Sequence, residues 1–407
     1  MKAYIISLGC PKNLTDTENL MSKLAEEGYT FTNKPAQADL ILVNTCAFIK
    51  SAKDESINIL KEMSLWKKKG KCKHLIVAGC LPQREKNKLP KLLPYVDAFI
   101  GTPQKFQPPQ KTIIQATPPW YAYVKIAEGC NNCCSYCTIP SIRGKLRSRP
   151  VKDILAEVNT LANNGVKEII FVAQDTTAHP KFVDIIRKTA KIKKIKWIRI
   201  MYAHPAHVTD KLINLIAKEK KIVKYLDLPI QHACDKILKR MKRRYSRQDL
   251  NILIARIRRK IPKIALRTSV IVGFPGESET ESKELADFLK EVKFDKLGVF
   301  TYSKEVGTPA AKLRAQVSEK RKKKRLNHLM RQQARISRER NKKLIGKTLN
   351  IIIEGAKGSQ YIGRAYFDAP DIDGLVFVSS NKTLTPGQIV RSHITKAKTY
   401  DLIGCCP

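Results

Sequence analysis

The sequence predicts an α/β plus β protein: an N-terminal parallel α/β sheet domain, then a partial (β/α)6 barrel, then a C-terminal small β-barrel. Three observations carry this reading. Strand-like apolar runs alternate with helical ones through roughly the first hundred residues and again from Tyr121, which is the pattern of parallel sheets. Between the two series, residues 101–119 hold five prolines and little periodicity, the composition of a linker. The last 64 residues are β-rich and broken by Gly, Asp and Pro turns.

The first series reads AYIISLG, DLILVNT and HLIVAGC as strands, with TDTENLMSKLAEEG and SAKDESINILKEMSL as helices between them, and sets a first domain at 1–112. The second, at 116–343, reads YAYVKIAE, KEIIFVAQD, KWIRIMYAH, KYLDLPIQH, ALRTSVIVGF and KLGVFTYS as strands separated by five helical regions. Six such units make an incomplete barrel. Between Lys312 and Lys343 lie 14 basic residues and two acidic ones without proline or glycine, which predicts a helix. That helix is either simply solvated or a contact for nucleic acid or ribosome. The third domain, 344–407, carries the β-rich runs KTLNIIIEG, QYIGRAYF, GLVFVSS and QIVRSHITKAKTYDLIG. No internal repeat is visible.

A chain of 407 residues exceeds one ordinary core and suits several domains. No apolar run approaches the roughly 20 residues of a membrane span, so the chain is not expected to cross a membrane. The opening MKAYIISLGCPKN meets Pro11 and Lys12 before a signal peptide could form, and a cytoplasmic location is expected. Lysine plus arginine exceed aspartate plus glutamate by 77 to 36. Either the surplus draws polyanions such as RNA or a ribosome surface, or it reflects a basic proteome. Under reducing conditions the 11 cysteines stay free thiols, and clustered ones become candidate ligands.

In EGCNNCCSYCTIP, Cys130, Cys134 and Cys137 form CxxxCxxC directly after the first barrel strand, at the edge where barrel chemistry sits. Electron-transfer clusters usually take four thiolates, whereas three leave one iron open for a chelating ligand. Cys133 creates overlapping CxxC pairs and so admits a zinc alternative, although structural zinc sites usually separate their CxxC halves by a dozen or more residues. Gln174 and Asp175 end VAQD, and Gly273, Gly276 and Glu277 lie in VIVGFPGE, where backbone can approach a ligand closely. A GxPGE turn can also simply open a helix, with Glu277 facing its dipole. Taken together on successive strands, these five residues are candidates for cofactor binding.

Cys10, Cys46 and Cys80 each follow an apolar strand, in IISLGC, ILVNTC and LIVAGC, so a parallel sheet sends all three to one edge. Doubly wound sheets bind ligands at that edge. The plainer alternative is three unrelated core cysteines. Cys72 precedes its strand and belongs to the opposite edge. Cys234 follows His232 and is expected to pack rather than ligate, and Cys405 and Cys406, next to the C-terminus without a CxxC partner, are expected to be unremarkable.

The CxxxCxxC motif resembles that of the radical S-adenosylmethionine (SAM) superfamily, in which the amino acid end of SAM occupies the open iron. Over nearly its full length the chain resembles the methylthiotransferases, with a methylthiotransferase N-terminal domain, a radical SAM core and a TRAM domain. SLGCPKN, VAQDTT, YLDLPIQHA, GVFTYS and DAPDIDGLVFV look like the RimO type, the ribosomal protein aspartate methylthiotransferases. The related transfer RNA enzymes typically show Gln-Ser-Gly where this chain has Gln231, His232 and Ala233.

The resemblance implies two [4Fe-4S] clusters and SAM, with Cys130, Cys134 and Cys137 holding the cluster that cleaves SAM and Cys10, Cys46 and Cys80 holding an auxiliary cluster for sulfur delivery. It implies hydrogen abstraction from the β-carbon of an aspartate in the twelfth small-subunit ribosomal protein, and addition of a methylthio group there. An unactivated C–H bond offers no acidic proton, so no side-chain acid or base is expected. The implied partners are that protein or the ribosome, an external electron donor and a sulfur source, with nucleic acid contact also open. Rival readings are modification of an adenosine in transfer RNA and a noncatalytic iron-sulfur factor that binds RNA or assists ribosome assembly. The chain departs from the family pattern at Cys133, at Cys234, where serine is common, and in its charge.

Overall fold

The computed structural model describes residues 1–103, 106 and 113–406, so most of the proline-rich stretch predicted as a linker lies outside the described residues. The N-terminal sheet has five parallel strands in the order Thr30–Phe31, Lys2–Ser7, Leu40–Thr45, His74–Gly79, Ala98–Ile100. Leu40–Thr45 is central and buried at every residue, which is why it reads as a continuous apolar run. The chain reverses its direction of progress across the sheet between Lys2–Ser7 and Leu40–Thr45. That is the switch point of a doubly wound sheet, where a crevice opens beyond the carboxyl ends of the strands. The two edge strands are short and were not visible as apolar runs.

The second sheet has six parallel strands that neighbour one another in chain order: Tyr121–Lys125, Glu168–Val172, Trp197–Ile200, Ile222–Asp227, Ala265–Val272 and Lys296–Thr301. This is the predicted open barrel. Side chains alternate between its faces. Ala122, Val124, Ile169, Phe171, Ile198 and Ile200 pack outward on the helices. Tyr121, Tyr123, Ile170, Val172, Trp197 and Tyr225 face inward and join Ile351, Ile352, Ile353 and Phe367 of the C-terminal module. The small barrel therefore covers the inner face that two missing units would have closed. Glu168 fastens the two, fully buried between Arg199 Nε (2.7 Å) and Arg364 Nη2 (2.8 Å).

The C-terminal module is a closed barrel of Thr348–Lys357, Gln360–Ala365, Val376–Ser380, Ile389–Ala397 and Leu402–Cys406. The run QIVRSHITKAKTYDLIG is two of these strands, because a turn closed by Lys398 N–H on Asp401 O (2.8 Å) divides it. The basic segment forms the helix Glu319–Lys342, capped by Ser318, so residues up to 318 fall outside it. Two of its cations are not solvated. Lys322 is buried on Tyr302 O (2.7 Å), and Arg325 is buried on Glu277 O (3.0 Å). Among the described residues, no helix is long and apolar enough to cross a membrane.

Candidate active site

The CxxxCxxC loop leaves the first barrel strand through Gly129, whose φ is +77° and whose Cβ, if it had one, would lie 2.2 Å from Lys145 O. Only glycine fits that approach. The loop then ends in the helix Ile139–Arg143. Donors converge on its thiols: Asn132 N–H on Cys130 Sγ (3.4 Å), Ile139 N–H on Cys137 Sγ (3.4 Å) and Arg243 Nη1 on Cys134 Sγ (3.4 Å). Arg243 is itself fixed by Tyr245 Oη (2.6 Å) and Pro229 O (3.1 Å). Burial pushes the free Cys137 thiol up to about 12. Cys133 is exposed and lines an outer cleft with Lys239, Lys242 and Arg244.

Cys10, Cys46 and Cys80 all follow carboxyl ends of neighbouring strands, the first two astride the switch point. Gly9, at φ +89°, leaves the space between them, since a Cβ there would meet Cys46 Sγ at 2.9 Å. Burial pushes Cys46 up to about 11. At Cys10 burial acts the same way, but Lys12 and Arg143 outweigh it and hold the thiol below its usual value. Cys72 is buried in the apolar core with its thiol on His74 O (3.4 Å), a packing residue as expected.

Each triad offers three thiols and one cationic donor, Arg243 on Cys134 and Arg143 Nη2 on Cys80 Sγ (3.3 Å), which is the donor chemistry that suits an iron-sulfur cluster.

A buried ionic group that sequence reasoning missed ties the barrel to the N-terminal domain beside Cys80. Arg143, the last residue of the helix that follows Cys137, donates through Nη1 to Asp16 Oδ2 (2.6 Å) and Glu128 Oε2 (3.0 Å). Through Nη2 it reaches Asn13 Oδ1 (3.0 Å) and Cys80 Sγ (3.3 Å). Lys125 completes the group, pairing with Asp16 and with Glu128 Oε2 (2.6 Å). Burial alone would push the Glu128 carboxyl up, yet Lys125 and Arg143 prevail and hold it at about 2. One signal was available: helix Pro11–Glu26 buries Asn13, Thr15, Asp16 and Thr17, so its inward face is polar where an apolar stripe is usual.

The other candidates lie around the mouth. Gln174 donates to Glu128 Oε1 (2.8 Å). Asp175 is buried and accepts from Asn132 Nδ2 (2.8 Å) and Thr177 Oγ1 (2.9 Å), so it holds the radical loop in place. Gly273 and Gly276 have φ of +71° and +83°, and a Cβ at either would strike Lys322 Cγ (2.2 Å) or Arg240 Cζ (2.8 Å). Their need for glycine comes first from the left-handed backbone and then from these neighbouring side chains, whereas the sequence suggested ligand approach. Glu277 is buried beneath them, accepting from Phe274 N–H (3.0 Å) beside Arg325 Nη1 (3.2 Å).

The bond from Asp175 Oδ2 to His207 Nδ1 (2.7 Å) raises the imidazole above its usual range. A raised histidine keeps its bond fully below about 6.5 and loses it as pH climbs through the folded value. In a carbon-13 titration of labelled histidine, His207 is therefore expected to titrate above 6.5 and to fall back in Asp175→Asn. An unmoved His207 in that variant would contradict the pairing.

Comparison with known proteins agrees with this layout. Residues 124–289 match the Radical SAM superfamily, residues 2–101 match Uncharacterized protein family UPF0004, and residues 345–406 match the TRAM domain. The chain is 45% identical to Ribosomal protein uS12 methylthiotransferase RimO of Geobacter sulfurreducens, over 99% of this chain and 98% of that one. It is 43% identical to the protein of the same name from Lachnoclostridium phytofermentans, over 99% of each. Among solved structures, the radical SAM methyltransferase TsrM of Kitasatospora setae superposes with a TM-score of 0.57 over 88% of this chain and 79% of that one, at 12% identity, a likeness of fold alone. A radical SAM core implies a [4Fe-4S] cluster and SAM as its cofactors. With relatives this similar over the whole length, the chain belongs to the RimO family of radical SAM methylthiotransferases.

Proposed function

We propose that the chain adds a methylthio group to the β-carbon of an aspartate in ribosomal protein uS12. In this reading Cys130, Cys134 and Cys137 hold the cluster that cleaves SAM, and Cys10, Cys46 and Cys80 hold a second [4Fe-4S] cluster for sulfur delivery. The observation that carries it is the pair of cysteine triads at carboxyl strand ends, with Arg143, on the short helix that follows Cys137, reaching across to Cys80 Sγ. When bound, the clusters and SAM supply the carbon radical and the sulfur and methyl groups that no side chain can provide.

The chain's own residues position and insulate. Arg243 and the amides of Asn132 and Ile139 stabilise negative sulfur. Asp175 orients Asn132, Gln174 ties the mouth to Glu128, and the Gly273–Gly276 turn shapes the far wall with Glu277 supporting it from below. These five remain our candidates for the cofactor pocket. The functional divisions are 1–112, 116–343 and 344–407. An external electron donor and sulfur source complete the reaction, and the TRAM module offers a contact to nucleic acid on or near the ribosome.

Anaerobic incubation with purified uS12, SAM and reductant is expected to give a methylthio mass increment on one aspartate; its absence from fully loaded enzyme would overturn the reading. The net charge of +41 favours a second reading, methylthiolation of a transfer RNA adenosine. Loss of a methylthio nucleoside from RNA of a deletion strain would support that rival. Formation of 5′-deoxyadenosine excludes a noncatalytic role. Because the Cys133 side chain is exposed, Cys133→Ala is expected to keep the wild-type iron and sulfide content, and loss of a cluster would make it a ligand.

A further inference from the structure

Lys12 stands two residues beyond Cys10, and its ammonium lies 3.3 Å from the centroid of the Tyr202 ring. Tyr202 belongs to the barrel, two residues past the strand Trp197–Ile200, so this contact spans the seam between the two cysteine-bearing domains. Its φ is +59°, a left-handed conformation that costs a non-glycine residue free energy and persists only where the surroundings enforce it. They do: Tyr202 N–H donates to Asp227 Oδ2 (3.0 Å), and Tyr202 O accepts from Thr176 N–H (3.1 Å).

The ammonium has no carboxylate of its own. Among the described residues, no hydrogen bond or ion pair reaches Lys12 Nζ. The nearby carboxylates are taken, Asp16 by Lys125 and Arg143, and Asp227 by Arg267 Nη1 (3.1 Å). Lys12 as a whole residue is half-buried. A partly desolvated cation on an aromatic ring, with the neighbouring carboxylates committed elsewhere, is a seat for an incoming carboxylate.

We propose that Lys12 binds the side-chain carboxylate of the substrate aspartate. The inference rests on the uS12 reading above and adds the group that grips the substrate. In an aspartate the carboxylate carbon is bonded directly to the β-carbon. Fixing the one at the seam therefore fixes the reacting C–H between the two triads. Tyr202 acts as a positioning residue, its enforced backbone keeping the ring beneath the ammonium.

The test is the affinity of the anaerobically loaded enzyme for purified uS12 carrying either Asp or Asn at the target position, followed by fluorescence anisotropy. Wild type is expected to prefer the Asp form by about tenfold or more, the scale of a hydrogen bond to a charged group. Lys12→Met should bind both forms alike, Lys12→Arg should keep part of the preference, and both should retain wild-type iron and sulfide content. A Lys12→Met enzyme that still prefers Asp overturns the seat, as does a wild type that binds the two forms equally, and either result leaves the uS12 reading standing. A wild type that binds neither form overturns both.

Discussion

Arg143→Met is expected to destabilise the protein by about 3–5 kcal/mol, the cost of removing one partner from a buried ion pair. Two carboxylates, Asp16 and Glu128, and two cations, Lys125 and Arg143, balance each other with side chains at most 6% exposed. Without Arg143 a net negative charge is left where water cannot reach it. The effect can be read from urea denaturation of the apoprotein. Arg143→Lys should recover less than its charge suggests, because one ammonium cannot reproduce a planar fork onto Asp16, Glu128, Asn13 and Cys80. Arg143→Met combined with Asp16→Asn restores the balance and should recover part of the loss. The pH dependence has a definite sign: with Glu128 held at about 2, its contribution is present above the ordinary carboxylate value near 4.3 and disappears as pH falls toward 2. An Arg143→Met protein as stable as wild type would remove this group from the account.

The second large effect separates the two triads by product. Cys134→Ala should lower 5′-deoxyadenosine formation by about 100-fold or more, since loss even of a supporting contact to a metal ligand costs 10–100-fold. Cys46→Ala should leave 5′-deoxyadenosine formation in place while methylthio transfer disappears. The separation follows from position. Cys134 lies on the barrel loop and Cys46 at the switch point of the other sheet. Loss of 5′-deoxyadenosine in Cys46→Ala would mean that the triads do not act separately.

What was legible in the sequence was whatever local spacing encodes. Strands buried on both faces announce themselves as apolar runs, so Leu40–Thr45, Tyr121–Lys125, Glu168–Val172 and Trp197–Ile200 were readable, and a cysteine just past such a run inherits a known sheet edge. The strands Thr30–Phe31 and Ala98–Ile100 are too short to have a period. The division of the last β run depended on a turn with no glycine or proline to mark it. Arg143 was out of reach for a different reason: its partners Asn13, Asp16 and Cys80 are far away in the chain, and a lone arginine in TIPSIRG reads as a surface residue. Gly273 and Gly276 were singled out for close approach, yet Lys322 and Arg240, which crowd them in addition to the left-handed backbone, come from helices elsewhere in the chain. Tertiary contacts of this kind leave no local pattern to read.

The central claim is that two separate triads each hold an open cluster. Iron analysis with Mössbauer spectroscopy of anaerobically reconstituted protein tests it most directly. Wild type should carry two four-iron clusters, and the Cys10→Ala/Cys46→Ala/Cys80→Ala and Cys130→Ala/Cys134→Ala/Cys137→Ala proteins should carry one each, with different spectra. A single cluster in wild type, or the loss of both clusters in either triple variant, would contradict it.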